Sequence, residues 1–379
     1  MHRTAHERRL WLCAAVAASA LACGCAIRQT RPIVALAAPA PEDTEVFYVT
    51  DRAESAPAEI VCKAGEMPAR GPRFGSDRQP DERISYGTYT VRLPFTRRFG
   101  ELVPYKPRPL CSRTPEDPVF RSGPAALQEE QFFSALVSRL KAASGTEVFV
   151  FVHGYKYAFE ESVLWTAQLK QDLNYRGAAV LFAWPSQGNS TAYAADGDSI
   201  EWSTPHVRQF LEHLLAALPG RRVHILAHSL GTRAVVGALQ DLASTGGTGE
   251  PRLGQVVLAA PDIAEDLFRQ KMPAVIGARL AERITLYVSR NDKALRFSGR
   301  LHVYARAGDA GNAQPLIPGL DIVDVTLTDH SRYYHNYLFE NRWVQQDVFL
   351  LLRDNVPPER RFGLVRLTNG SLTLWQLRP

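Results

Sequence analysis

Six short, largely apolar runs lie between residues 148 and 327: the continuous VFVFV (148–152), then AAVLFAW (178–184), VHILA (223–227), QVVLAA (255–260), ITLYVS (284–289) and IVDVTL (322–327). A strand that is apolar at odd and even positions alike has both faces covered, which marks a buried parallel strand. Stretches of helical period accompany these runs: QFFSALVSRL (131–140), VRQFLEHLLAAL (207–218), the segment after Ser229, and HNYLFENRWVQQDVFLLL (335–352). Strand and helix in alternation predict a doubly wound, mostly parallel α/β sheet whose ligands gather at the carboxyl ends of its strands. Strict alternation appears instead at VFYVTDR (46–52) and YGTYTVRLPF (86–95), which predicts an antiparallel lead-in. Two alternating runs around Asn369-Gly370, in FGLVRLTNGSLTLWQL (362–377), predict a peripheral carboxyl-terminal hairpin.

The first residues have a different character. Arg3, Arg8 and Arg9 precede LWLCAAVAASALA (10–22), an apolar run too short to span a bilayer, so residues 1–25 read as a signal peptide. It ends in LACGC, where small residues precede both Cys23 and Cys25. This resembles the lipobox at which bacterial lipoproteins are cleaved and acylated, with Cys25 preferred and Cys23 the alternative. Residues 26–43 are rich in Ala and Pro and suit an extended spacer. The remainder, 44–379, divides into an amino-terminal β extension (44–128), a catalytic core (129–355) and the hairpin (356–379). The expected place is the bacterial envelope, on the periplasmic side, held to a membrane by lipid.

Composition adds little that is specific. At 45% apolar and 22% charged, the chain can bury a full core. The formal net charge of +5 is partly that of the leader and is otherwise spread along the chain, which is no nucleic-acid signature. Cys62 and Cys111 remain in the body; in an oxidising compartment they are expected to pair, and no metal-ligand spacing surrounds them.

Chemistry is carried by one strand in particular. VHILA runs directly into His228-Ser229-Leu230-Gly231-Thr232 and then into a helix, with the small residues Ala227 and Gly231 placed two before and two after the serine. That is the nucleophile elbow of the α/β-hydrolase fold, in which the order along the chain is serine, acid, histidine. An acid after the second strand beyond the serine gives Asp292, with Asp262 at the end of QVVLAAPD as the alternative. A base after the last core strand gives His335, with His330 as the alternative; His228 reads as a packing residue. Transition-state charge needs donors, and the strand end His153-Gly154 places the N–H of Tyr155 beside that of Leu230 as an oxyanion hole. The segment AWPSQGNSTAYAADGDS (183–199), with Trp184, Ser186, Tyr193, Asp196 and Asp198, reads as a solvated loop lining the pocket, without the ligand spacing of a calcium loop. No Gly-rich phosphate motif follows a strand, so no cofactor and no metal is expected.

Taken in order, VFYVTDR, ISYGTYTVRLP, VFVHGYKYAFEESVLWTAQLKQDL, LFAWPSQG, LAHSLGTRAV, LAAPDI, YVSRNDKAL and HNYLF resemble a bacterial family of α/β hydrolases of unknown function, often exported or lipoproteins. The resemblance implies the α/β-hydrolase fold, Ser229 as nucleophile, Asp292 and His335 as acid and base, and the oxyanion turn at His153, Gly154 and Tyr155. The sequence departs from that pattern at Leu230, where methionine is frequent, at Lys156, where asparagine is common, and at Asn336, where serine is frequent. None of these removes a catalytic group. The activity expected is a serine hydrolase of the esterase or lipase type, acting on a small-molecule or lipid ester through an acyl-enzyme. The alternative is a non-catalytic envelope binding or scaffolding module on the same fold.

Overall fold

The computed structural model describes residues 43–55, 59–60, 69–70, 74–94, 97, 100–103, 118–142, 147–245, 252–311, 317–369 and 372–379. The leader with Cys23 and Cys25, residues 26–42 of the Ala/Pro spacer, Cys62, Cys111 and Gly370 lie outside them. Fifteen strands occur among these residues: β1 (Asp43–Thr50), β2 (Arg52–Glu54), β3 (Glu59–Ile60), β4 (Ala69–Arg70), β5 (Phe74–Arg78), β6 (Ser85–Arg92), β7 (Val119–Leu127), β8 (Glu147–Val152), β9 (Ala178–Ala183), β10 (Arg222–His228), β11 (Leu253–Ala259), β12 (Ala281–Val288), β13 (Asp321–Asp324), β14 (Leu364–Asn369) and β15 (Leu372–Leu377). The helices are α1 (Glu129–Ala142), α2 (Phe159–Asp172), α3 (Tyr193–Ala217), α4 (Gly231–Thr245), α5 (Glu265–Gly277), α6 (Lys293–His302), α7 (Tyr337–Glu340) and α8 (Arg342–Asp354).

Eleven strands form one sheet in the order β14-β15-β13-β12-β11-β10-β8-β9-β1-β6-β7. Pairing is parallel from β1 through to β15 and antiparallel at both edges, where β6 meets β1 and β7, and β14 meets β15. The two amino-terminal strands therefore extend the central sheet itself, with β1 lying parallel to β9 on one side. The apolar runs behave as double-sided strands. In β8, Val148, Val150 and Val152 pack on one face with Leu136 of α1 and Phe210 of α3, while Phe149 and Phe151 pack on the other with Leu164 of α2 and Val348 of α8.

Strand order reverses once within the parallel part. From β8 the chain moves to β9 on one side, then returns through α3 to place β10 on the other side of β8. The carboxyl ends of β8 and β10 are thus the switch point of the sheet, where helices depart to opposite faces and leave a crevice.

Three elements depart from their sequence reading. The second half of the 183–199 segment is helical, because α3 begins at Tyr193 and continues through Gly197, Asp198 and Pro205, residues that read as breakers. The run 335–352 is two helices: Asn341, in extended conformation, accepts from the N–H groups of Trp343 (3.0 Å) and Val344 (3.4 Å) and so caps α8. β13 stops at Asp324, whose carboxylate accepts from the Thr326 N–H at 2.9 Å and turns the chain away from the sheet.

The hairpin is joined to the core by a buried ion pair. Arg361, just before β14, donates to Asp347 of α8 at 3.0 Å, and the Tyr287 hydroxyl of β12 donates to the same carboxylate oxygen at 2.6 Å. Both charged side chains are fully buried. Removing one partner leaves the other charge without compensation, which costs about 3–5 kcal/mol. Arg361→Ala is therefore expected to lower the unfolding free energy by about that amount in urea titrations; a change within the range of an exposed substitution would contradict this arrangement.

Candidate active site

β10 ends in a strained turn. Ser229 holds φ of +52°, a left-handed conformation that a non-glycine residue keeps only when its surroundings impose it. Its N–H donates to the Ala259 carbonyl at 3.0 Å, while its own carbonyl accepts from the Thr232 hydroxyl (2.6 Å) and the Asp262 N–H (3.2 Å). The helix α4 starts two residues later at Gly231, where a β-carbon would lie 2.2 Å from the His153 carbonyl oxygen. Only glycine lets the start of α4 pass so near the end of β8. The same holds from the other side, since a β-carbon at Gly154 would stand 2.9 Å from the Ser229 Cβ.

His335 reaches this serine from the far end of the chain. It follows a single 3₁₀ turn, Arg332–Tyr334, in which Tyr333 and Tyr334 both adopt positive φ. The Ser229 hydroxyl donates to His335 Nε2 at 2.9 Å, and His335 Nδ1–H donates to Asp292 Oδ2 at 2.7 Å. Asp292 is fully buried and also caps α6, its other oxygen accepting from the Leu295 N–H at 2.8 Å. His228 supports the imidazole from behind: its Nε2–H donates to the His335 carbonyl at 3.1 Å, and its ring stands between those of His335 and Phe339. Burial and the neighbouring imidazole push His228 down to about 3, so it stays neutral.

The two alternatives occupy other settings. Asp262 is clasped by Arg306 (2.7 Å) and the Ser298 hydroxyl (2.6 Å), with the Tyr193 hydroxyl on its second oxygen and Arg233 at 3.9 Å. Burial alone would raise its pKa, but Arg306 and Arg233 outweigh that and hold it below the usual carboxylate range. His330 is exposed, and its ring makes no hydrogen bond among the described residues. At His335, burial favours the neutral ring, yet the Asp292 carboxylate and its hydrogen bond, helped by the charges of Asp262 and Asp329, outweigh it and raise the pKa above its ordinary 6.5.

The turn after β8 is held by residues whose roles were not evident in the chain. Asp196, in the first turn of α3, accepts from the Ser186 hydroxyl (2.6 Å), the Gln187 N–H (2.7 Å) and the Lys156 N–H (3.3 Å). Ser186 in turn accepts from the Tyr157 N–H at 3.1 Å. Arg52, from the VFYVTDR segment, is buried behind them and donates to the Tyr157 carbonyl (2.8 Å) and the Ser186 carbonyl (3.1 Å). His153 completes the packing, its ring stacked on Trp184 at 4.9 Å while the indole N–H donates to the His153 carbonyl at 2.7 Å. Among the described residues, the N–H groups of Tyr155 and Leu230 donate to no protein acceptor. An acidic residue forty positions from Lys156 gives no local signal, and reading 183–199 as a loop hid that Asp196 stands on a helix.

Because Asp196 is buried and satisfies three donors, Asp196→Ala strands those donors. Stability should fall by about 1–3 kcal/mol per group left unsatisfied, read in thermal or urea unfolding, with a loss no larger than that of an exposed substitution being the contrary result.

A search of curated proteins finds none that matches the chain. Among solved structures, phospholipase PlaB from Legionella pneumophila is similar at 11% identity over 61% of this chain and 68% of its own, with a TM-score of 0.25. A lipase-esterase related protein from Clostridium acetobutylicum ATCC 824 is similar at 12% identity over 55% of this chain and 90% of its own, with a TM-score of 0.24. At that level of likeness, any functional reading rests on the site's own geometry. The model of the family described as alpha/beta hydrolase of unknown function (DUF900) matches residues 128–349, from α1 through most of α8. That is more than half of the chain, and the protein belongs to this family of α/β hydrolases.

Proposed function

We propose that this chain is a serine hydrolase of carboxylic esters, working from the bacterial envelope, to which its leader directs it and an acylated Cys25 (or Cys23) anchors it. The observation that carries the reading is the relay of two hydrogen bonds from Ser229 through His335 to Asp292, 2.9 and 2.7 Å long, at the switch point of the sheet. A serine hydroxyl is a weak nucleophile at neutral pH, and a base in contact with it that is itself oriented by a buried carboxylate supplies what it lacks.

In this mechanism Ser229 Oγ attacks the ester carbonyl as its proton passes to His335 Nε2. Asp292 holds the ring by its Nδ1–H and stabilises the imidazolium that forms. The oxyanion lies against the N–H groups of Leu230 and Tyr155, each worth roughly two to three decades in rate. The alcohol leaves with the proton from His335, and water, deprotonated by the same nitrogen, releases the acid and restores Ser229. Asp196, Ser186 and Arg52 hold the turn that carries the Tyr155 donor. Their task is to keep it aimed while charge develops.

A fluorophosphonate tests this without knowledge of the substrate. The purified chain should be labelled stoichiometrically on Ser229, and Ser229→Ala should take no label; folded protein that is not labelled would overturn the proposal. The assignment of the acid is separable. Asp292→Asn is expected to lower kcat on a soluble nitrophenyl ester by about 10⁴-fold, whereas Asp262→Asn should act mainly on stability; the reverse pattern would move the acid to Asp262.

The pH dependence follows from the imidazole, which must be neutral to accept the serine proton. kcat/KM should rise with pH through a midpoint above 6.5, the direction in which the carboxylates shift His335. Asp329→Asn removes one of those charges, so the midpoint should move to lower pH; no movement, or movement upward, would contradict the electrostatic account.

A further inference from the structure

The helix that begins at Asp292 has two unlike faces. Its inner face, Leu295 and Ser298, is buried, and Ser298 is bonded to Asp262 beside the serine turn. Its outer face carries Phe297 at 64% exposure and Leu301 at 56%, followed past the helix end by Val303 at 85% and Tyr304 at 60%. These are among the most exposed large apolar side chains of the described residues, and they are neighbours in one stretch of eight. Single exposed apolar residues are ordinary; a cluster of this kind marks a surface that meets something other than water.

What surrounds the cluster identifies the occupant. Lys293, Arg296 and Arg300 are exposed along the same helix, and no acidic residue occurs from 293 to 308. The Arg296 guanidinium donates to the Arg290 carbonyl, and Arg296 stands with Arg300, Val303 and Tyr304 at a groove of about 450 Å³. The groove's one acid, Asp309, is buried and accepts from the Gly311 N–H at 2.9 Å. A short helix with apolar side chains between cations is the chemistry that lies in the interface of an anionic bilayer, chains in the acyl boundary and charges at the phosphates. Val303 is the most exposed of the four. It closes the helix with φ of +68°, at a place where a water-facing helix end takes glycine or asparagine, and a β-branched side chain is held outward there against its backbone preference.

We infer that the outer face of α6, led by Phe297, Leu301, Val303 and Tyr304 and flanked by Arg296 and Arg300, is a docking surface for an anionic phospholipid membrane. The surface continues on the turn that precedes His335, where Tyr333 is 59% exposed beneath the Arg332 guanidinium and Lys293 stands over the Tyr334 ring at 5.1 Å. Docking therefore sets the bilayer at the rim between Asp292 and His335. The inference stands on the outer face and does not depend on the chemistry of Ser229.

The test uses the full chain carrying Leu301→Trp, mixed with vesicles whose acyl chains are brominated. With brominated phosphatidylglycerol vesicles, the emission of the added tryptophan, measured as the difference from the unsubstituted chain, should shift to the blue and be quenched. Brominated phosphatidylcholine vesicles should leave it unchanged, even where an amino-terminal lipid anchor tethers the protein to them. Adding Arg296→Glu and Arg300→Glu should abolish the quenching while the far-ultraviolet circular dichroism and Tm stay as before. Absence of quenching in phosphatidylglycerol, equal quenching in both lipids, or a blue shift that grows with protein concentration without lipid, as burial against a second copy would give, would each overturn the inference. Phosphonate labelling of Ser229 is unaffected by any of these outcomes.

Discussion

Gly231 and Gly154 bring the backbones of two parallel strands closer together than any side chain would allow. A β-carbon at the first would fall 2.2 Å from the His153 carbonyl oxygen, and one at the second 2.9 Å from the serine's own Cβ. Everything at the site depends on that approach. It forces Ser229 into a left-handed conformation, which costs about 1–3 kcal/mol for a non-glycine residue. The surrounding structure opposes relaxation through the hydrogen bonds that Ser229 makes to Ala259, Thr232 and Asp262. The result is a hydroxyl lifted off the sheet at the crevice between β8 and β10, beside two backbone N–H groups without protein acceptors among the described residues.

Charge is distributed around this point by division of labour. Asp262 is held by two arginines and supplies a remote negative potential, Asp292 contacts the imidazole directly, and Asp329 adds a third charge from the segment before His335. Burial by itself would strip His335 of its basicity. The three carboxylates restore it, and in the proposed mechanism a base with pKa above its ordinary value takes a serine proton more readily. His228 receives no such compensation and stays neutral, which lets it serve as a fixed donor to the His335 carbonyl.

Much of this fold was legible in the chain because its signals are local. Runs apolar on both faces must be buried strands, and a strand that passes through Ala227, Ser229 and Gly231 into a helix can hardly be anything but a tight elbow. Strand order offers Asp292 or Asp262 and His335 or His330 to Ser229, and only contacts across the fold bring Asp292 and His335 to it. What escaped notice depends on contacts across the fold. Asp196 reads as one acid in a polar loop until α3 places it against Lys156, Ser186 and Gln187. Arg52 reads as the end of an antiparallel lead-in until β1 pairs with β9 and carries it under the turn after β8. The capping role of Asn341 was hidden for the opposite reason, since the helical period continues across it while the backbone does not.

In the proposed mechanism, the strained approach of the β8 and β10 ends forms a site for negative charge on a serine-bound tetrahedral group. A crystal structure of the protein after reaction with a phosphonate tests this most directly. Phosphorus is expected bonded to Ser229 Oγ, with its unesterified oxygen about 2.7–3.1 Å from the N–H groups of both Leu230 and Tyr155. An adduct whose oxygen faces solvent, or a phosphonate bonded to another side chain, would contradict it.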